Sequence, residues 1–230
     1  MDAPDNNENS PKKISLFPLP STVFFPGVIL PLHIFEPRYR EMVSDSLENK
    51  QWIGMVLLKS GWRKDYLHHP DIQPVGCAGE IKKCVRQDDG KFNLVLGGLH
   101  RFKILREIGD KSYRQAEVRL LREKNDLPVE KANDPSFELL LDRLQEYTQL
   151  LPEDNPQRAG LKLENCRSLG HLLDQIIFLS DLSPENKQPF LEALDVMGRL
   201  RTIHPFLENK ISFLRRSRFL FEKGVDVRLN

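Results

Sequence analysis

The sequence predicts an α+β protein: a small, strongly bent β-barrel with one embedded helix, followed by a helical bundle. Three observations carry this. From Ile14 to Leu120 the apolar residues fall in strand-length runs or alternate with period two, and only the segment after Glu36 has helical spacing. From Arg122 to Asn133 (REKNDLPVEKAN) the chain turns charged, contains a proline and loses periodicity, which marks a subdomain boundary. Beyond it, apolar residues recur at helical steps.

Taken in order, residues 1–13 are acidic, Asn-rich and broken by proline, with too few apolar side chains to offset ordering entropy, so they read as a disordered tail. Leu16–Leu19 is a short strand closed by Pro20. Phe24-Phe25-Pro26-Gly27 supplies a Pro-Gly turn into a second apolar run, Val28–Phe35, which includes Pro31. Pro37 suits the first turn of a helix, because its missing N–H is one a helix start leaves unpaired. Glu36 favours the same positive end, and Tyr39, Met42 and Val43 mark the buried stripe.

Trp52–Leu58 is a continuous apolar run, predicting a strand covered on both faces with Trp52 in the core. Ser60–Asp71 is a polar loop whose Trp62 and Tyr66 have no alternation to bury them. From Val75 the period is two, with Val75, Cys77, Gly79, Ile81 and Val85 on one side. Asp89-Gly90 then predicts a type I′ hairpin that sets Val85 opposite Leu94 and Ile81 opposite Gly98. Gly97-Gly98 interrupts the return strand where a barrel would bend, and a side chain at Gly98 should crowd Ile81. Arg101–Ile108 and Ala116–Leu120 complete the strands.

In the second half, residues 134–223, Asp134-Pro135 opens a helix with the stripe Phe137, Leu140, Leu141, Leu144, Tyr147 and Leu151. Leu169, Leu172, Leu173, Ile176 and Ile177 form a second stripe, and Ser183-Pro184 starts a third helix with Phe190, Leu191 and Leu194. Asp195 can cap a last helix through Ile203, Leu207, Leu214 and Phe221, with a kink expected at Pro205. Residues 123–133 read as a linker and 224–230 as a tail.

The stretch FPLPSTVFFPGVILPLHIFEPRYREMV resembles the opening motif of the Lon protease N-terminal domain family, in the form found in small bacterial proteins that carry this domain alone. GGLHRFKI (Gly97–Ile104, with Arg101) and SPENKQPFLEALDVMGRL (Ser183–Leu200) resemble later family segments, so the likeness covers roughly Ile14 to Phe221. It implies a PUA-like barrel, helices after it, and structural roles for Phe25, Pro26, Gly27, Pro31, Glu36, Pro37, Arg38, Tyr39, Gly97, Gly98 and Arg101. It also implies recognition of unfolded or apolar polypeptide, as an adaptor or regulator in protein quality control that works with or without a separate Lon protease.

Composition excludes the extremes. With 40% hydrophobic and 29% charged residues and a net charge of +1, the chain has no long-range field for nucleic acid or an anionic membrane. Apolar runs fall short of the roughly 18 residues a span needs, and the start lacks a secretory apolar region, so a cytoplasmic protein with no membrane partner is expected. Cys77, Cys84 and Cys166 read as plain buried thiols.

Chemistry-bearing constellations are missing too. There is no GxxxxGK[ST] cradle, no GxSxG elbow and nothing like a Ser-Lys proteolytic domain, so neither ATPase nor peptidase activity is expected. His68-His69 lacks partners at ligand spacing and reads as solvated loop, and no metal or cofactor is expected. His33 and His100 read as structural, and His171 and His204 as helix-surface or boundary residues. RNA binding by a PUA-like module is the main competitor, an orphan hydrolase the second. Against RNA, Arg215, Arg216 and Arg218 on the last helix point in different directions and form no phosphate-tracking face. Among candidate polypeptide contacts, Trp62 and Tyr66 stand out, as exposed aromatics on a loop.

Overall fold

The computed structural model describes residues 11–64, 69–109, 111–131, 134–153, 155 and 166–222. The chain divides into two compact units: residues up to Arg122 together with Asp181–Leu194, and Glu123–Ser180 together with residues from Asp195 onward. Tyr66, His68 and the terminal segments 1–10 and 223–230 lie outside the described residues.

In the first unit, β1 (Lys12–Leu19), β2 (Ile29–Ile34), α1 (Pro37–Glu48), β3 (Ile53–Leu57), β4 (Val75–Arg86), β5 (Phe92–Ile108) and β6 (Gln115–Leu120) follow in chain order. β1 begins earlier than the apolar pattern showed: Lys12 and Lys13, assigned to the tail by composition, pair with Val118 and Glu117 of β6. Backbone pairing needs no apolar side chain, so composition missed it.

The sheet is mixed. β1 pairs parallel with β3, β3 antiparallel with β4, β4 with β5, β5 with β6, and β6 with β1, so the pairings close a circuit of five strands, with β2 added on the outside of β5. Ile14, Leu16, Val56, Ala78, Phe102, Ala116 and Val118 cluster inside it. Every residue of β3 is buried, as its unbroken apolar run predicts.

The β4–β5 hairpin corrects two expectations. Arg86 pairs with Phe92, Gln87 N–H donates to Lys91 O (2.8 Å) and Gly90 alone has positive φ (+78°), which leaves a three-residue loop, Asp88-Asp89-Gly90. That is a type I turn closed by a glycine bulge, because Asp89 stays out of the left-handed region a type I′ turn would require. The register moves with it: Val85 faces Asn93, Cys84 faces Leu94, and Gly98 faces Gly79 rather than Ile81. A second irregularity falls between Ile81 and Lys83, and Val85, predicted to face the core, is 51% exposed.

α1 buries Tyr39, Met42 and Val43 as its spacing predicts, and Tyr39 meets Phe17 edge-on at 4.5 Å. At the other end of this helix Tyr113 donates its hydroxyl to Asp45 (2.7 Å), beside Lys111 at 3.0 Å. The Tyr113 hydroxyl, and after it Lys111, hold the Asp45 carboxyl below its ordinary range. Burial, then the Asp45 hydrogen bond, pushes the phenol up to about 12. A carboxyl with a depressed folded pKa adds stability above its unfolded value, near 3.9, and loses it as pH falls through the folded value. Tyr113→Phe should therefore cost about 1 kcal/mol at neutral pH, and the gap from wild type should narrow below roughly pH 4. Urea unfolding at pH 7 and pH 3 checks this; a gap equally large at both would detach it from Asp45.

The second unit contains α2 (Pro135–Leu150), α3 (Leu169–Leu179) and α5 (Val196–Glu222). Asp134 caps α2 by accepting from Ser136 N–H (2.8 Å), Ser168 caps α3, and both predicted stripes are buried except for partly exposed Leu141. Asp195 accepts hydrogen bonds from the Met197 and Gly198 amides at the start of α5, which runs through Pro205.

The predicted third helix, α4 (Pro184–Glu192), belongs to the first unit instead. Its Gln188 side chain donates to Val75 O (3.1 Å), and its Leu191 carbonyl accepts from the buried Arg101 (2.9 Å). In the stretch read as a linker, Lys124 forms a parallel backbone bridge with Asp195, and Glu123 pairs with Arg199 of α5.

Candidate functional site

The motif residues separate into a buried group and an exposed one. Phe25-Pro26-Gly27 makes a tight turn, with Gly27 at φ +74° and Val28 N–H donating to Phe25 O (3.3 Å). Gly98 clamps that turn: its N–H donates to Val28 O (2.9 Å) and its carbonyl accepts from Gly27 (3.0 Å). The Arg101 guanidinium sits 5.9 Å from the centre of the Phe25 ring, and both residues are buried. Three sequence-separated motif segments thus meet in one joint: the turn, the stretch of β5 that carries Gly98 and Arg101, and the C-terminal end of α4.

At the start of α1, Arg38 donates to Glu36 Oε2 (2.9 Å) and lies over the Tyr39 ring at 4.6 Å. Glu36 occupies the cap position without a side-chain cap bond.

The exposed group lies on β2. In this antiparallel pairing the Gly98-to-Val28 bond sets the alternation, so Leu30, Leu32 and Ile34 turn their backbone groups to β5, and Ile29, Pro31 and His33 turn theirs away. Among the described residues that outer edge carries no strand partner. The side chains on the same alternation, Ile29 (56% exposed), Pro31, His33 and Phe35 (58%), face solvent. Beside them a groove of about 470 Å³ is lined by Pro31, His33, Lys83, Val85, Asn93 and Val95, among others, and His33 Nδ1 lies 2.7 Å from Asn93 Oδ1. The strand's unbroken apolar composition hid this exposure, although Pro31, which cannot donate a ladder bond, was the available signal for an edge.

Trp62 is partly exposed in a short 3-10 turn (Trp62–Lys64), with Arg63 5.5 Å from its ring centre, and it does not line the β2 groove. Trp52 is corrected: it is only partly buried, packed at the rim of the core between Lys12 and His100.

Burial, then the charge of Lys12, lowers the His100 pKa, and His171 contacts Gln175 (3.2 Å). Among the described residues no group of three or more His, Cys, Asp or Glu side chains could hold a metal. On α5, Arg215 pairs with Glu146 of α2.

The profile of the family described as the ATP-dependent protease La (LON) substrate-binding domain matches residues 13–209. The chain belongs to this family. Lon protease of Anaeromyxobacter dehalogenans is 28% identical over 213 residues, 92% of this chain, and Lon protease 2 of Myxococcus xanthus is likewise 28% identical over 92%. The chain spans about a quarter of the length of those relatives (25% in each). Two solved structures share the fold: a Lon N-terminal domain protein from Xanthomonas campestris (TM-score 0.62, 22% identity, 84% of this chain and 96% of that one) and the N-terminal domain of Mycobacterium avium complex Lon protease (0.63, 18%, 87% and 98%). The substrate-binding part of Lon is therefore what this chain matches. No helix among the described residues is long and apolar enough to cross a membrane.

Proposed function

We propose that the protein is a non-catalytic recognition module for exposed apolar polypeptide, serving as an adaptor or regulator beside a separate Lon protease, and that its closed strand circuit is a PUA-like barrel. The observation that carries this reading is the solvent-facing row Ile29, Pro31, His33 and Phe35 on an edge strand, next to a largely apolar groove. Pro31 takes one donor from the free edge, so an added strand would lose a hydrogen bond there, and recognition rests on the apolar row more than on backbone pairing. Trp62, with Tyr66 in the same loop, is a second proposed anchor.

The Ile29→Asp/Phe35→Asp variant should weaken binding of unfolded casein by about tenfold or more, since exposed apolar anchors dominate such contacts. Both side chains are exposed, so the melting temperature should stay near wild type. Fluorescence anisotropy with labelled casein measures the affinity. Unchanged binding in this variant together with loss in Trp62→Ala would move the surface to the loop; binding by neither variant nor wild type ends the proposal.

A further inference from the structure

A second pocket, of about 340 Å³, lies where α1 approaches the tip of the β4–β5 hairpin, lined by Pro37, Arg40, Glu41, Ser44, Arg86, Gly90 and Phe92. Arg40 is held there by the turn itself. A Cβ built on Gly90 would run into Arg40 Nη2, so the guanidinium lies directly over the one glycine whose positive φ the hairpin requires, and Gly90 is buried on an otherwise exposed turn. Arg86 reaches the pocket from β4 with its guanidinium 5.9 Å from the centre of the Phe92 ring.

Among the described residues neither arginine has a carboxylate within ion-pair distance, and Asp89, whose carboxyl Lys91 and after it the Arg40 charge hold low, is itself paired with Lys91. Asp89 pairs with Lys91 at 2.6 Å, while Glu41 accepts from Ser112 (2.6 Å) and lies 3.8 Å from Lys111. Guanidinium forks match planar oxyanions with two parallel hydrogen bonds, whereas the Ser44 hydroxyl already donates to Arg40 O (3.1 Å). Two arginines against one lining carboxylate, with the Asp89–Lys91 pair alongside, leave a formal charge of +1, which suits a monoanion better than a dianion.

We infer that this pocket is a carboxylate-binding site, with Arg40 and Arg86 as the forks and Gly90 and Phe92 as its floor. Assigning the carboxylate to a polypeptide, from an acidic side chain or a free C-terminus, rests on the function proposed above. The site would then read acidic residues in a bound segment, adding a charge preference to an otherwise apolar recognition surface.

The test uses the full chain and three short peptides: acetyl-Ala-Ala-Asp-Ala-Ala-amide, its Asn counterpart, and acetylated penta-alanine with a free C-terminus. Amide shifts of Gly90 and arginine Nε shifts are followed during titration, with inorganic phosphate as a competitor. The Asp peptide should bind at least about tenfold tighter than the Asn peptide, and exposed Arg86→Gln should erase that preference without changing the melting temperature. Arg40→Gln should do the same, and Arg40→Lys should restore only part of it because an ammonium lacks the fork. A stronger response to the C-terminal peptide would identify a free terminus as the source. Equal response to Asp and Asn peptides, or phosphate competing more tightly than either carboxylate, overturns the inference. If carboxylates bind here and casein binds nowhere, the pocket stands and the polypeptide function falls; if casein binds but Asp and Asn peptides are indistinguishable, the reverse holds.

Discussion

Replacing Gly98 with valine is expected to lower the melting temperature by roughly 6–12 °C or to prevent folding, from a loss of about 3 kcal/mol or more. A Cβ on Gly98 would collide with the Phe25 carbonyl oxygen and reach Phe25 C at 3.0 Å and Pro26 Cα at 3.2 Å. These are backbone atoms in a tight turn, held by the Gly98 N–H and carbonyl bonds, so they cannot move aside as a side chain would. Gly97→Ala is the control. Its Cβ would meet Lys82 Cε at 2.7 Å, the far end of a flexible side chain, and the cost should be much smaller. Thermal melts of the two variants decide the matter; equal losses would mean that the strand bend, and not the clamp on the turn, sets the requirement.

Arg199→Met should destabilise the second unit by about 3–5 kcal/mol, the usual cost of stranding a buried charge. Arg199 is fully buried on α5, donating to Asp174 Oδ1 (2.7 Å) on α3 and to Glu123 from the segment before α2. Asp174 is equally buried, and removing the arginine leaves its carboxylate with an unmet desolvation cost. Replacing both residues, as Arg199→Met/Asp174→Leu, should recover part of the loss, because a buried ion pair contributes little net stability over an apolar pair of similar volume. Urea unfolding followed by far-ultraviolet circular dichroism reads the helices, while tryptophan fluorescence reads only the first unit, where Trp52 and Trp62 lie. An unchanged dichroism midpoint in the single variant would show that water already solvates the cluster.

Much of this chain could be read locally. The Pro26-Gly27 turn, the Tyr39-Met42-Val43 face of α1, the wholly buried β3 and the stripes of α2 and α3 each depend on near neighbours in sequence, through fixed dihedrals or a repeating period. The resemblance to the Lon domain was legible for the same reason, since its motifs are turns, caps and bends. Arg199 was missed, though its position three residues after Val196 and four before Ile203 put a cation on the apolar stripe of α5.

Tertiary structure alone decided what depends on partners far along the chain. Hydrophobic spacing shows that α4 has an apolar face but not which core receives it, and the bond from Arg101 to Leu191, 90 residues apart, placed it with the strands. The hairpin register turned on whether Asp89 would adopt positive φ, an energy difference of roughly 1–2 kcal/mol that neighbouring contacts settle. The exposure of β2 has the same origin: an apolar strand looks alike in the middle of a sheet or at its rim, and only the closing of the circuit by β6 against β1 left β2 outside.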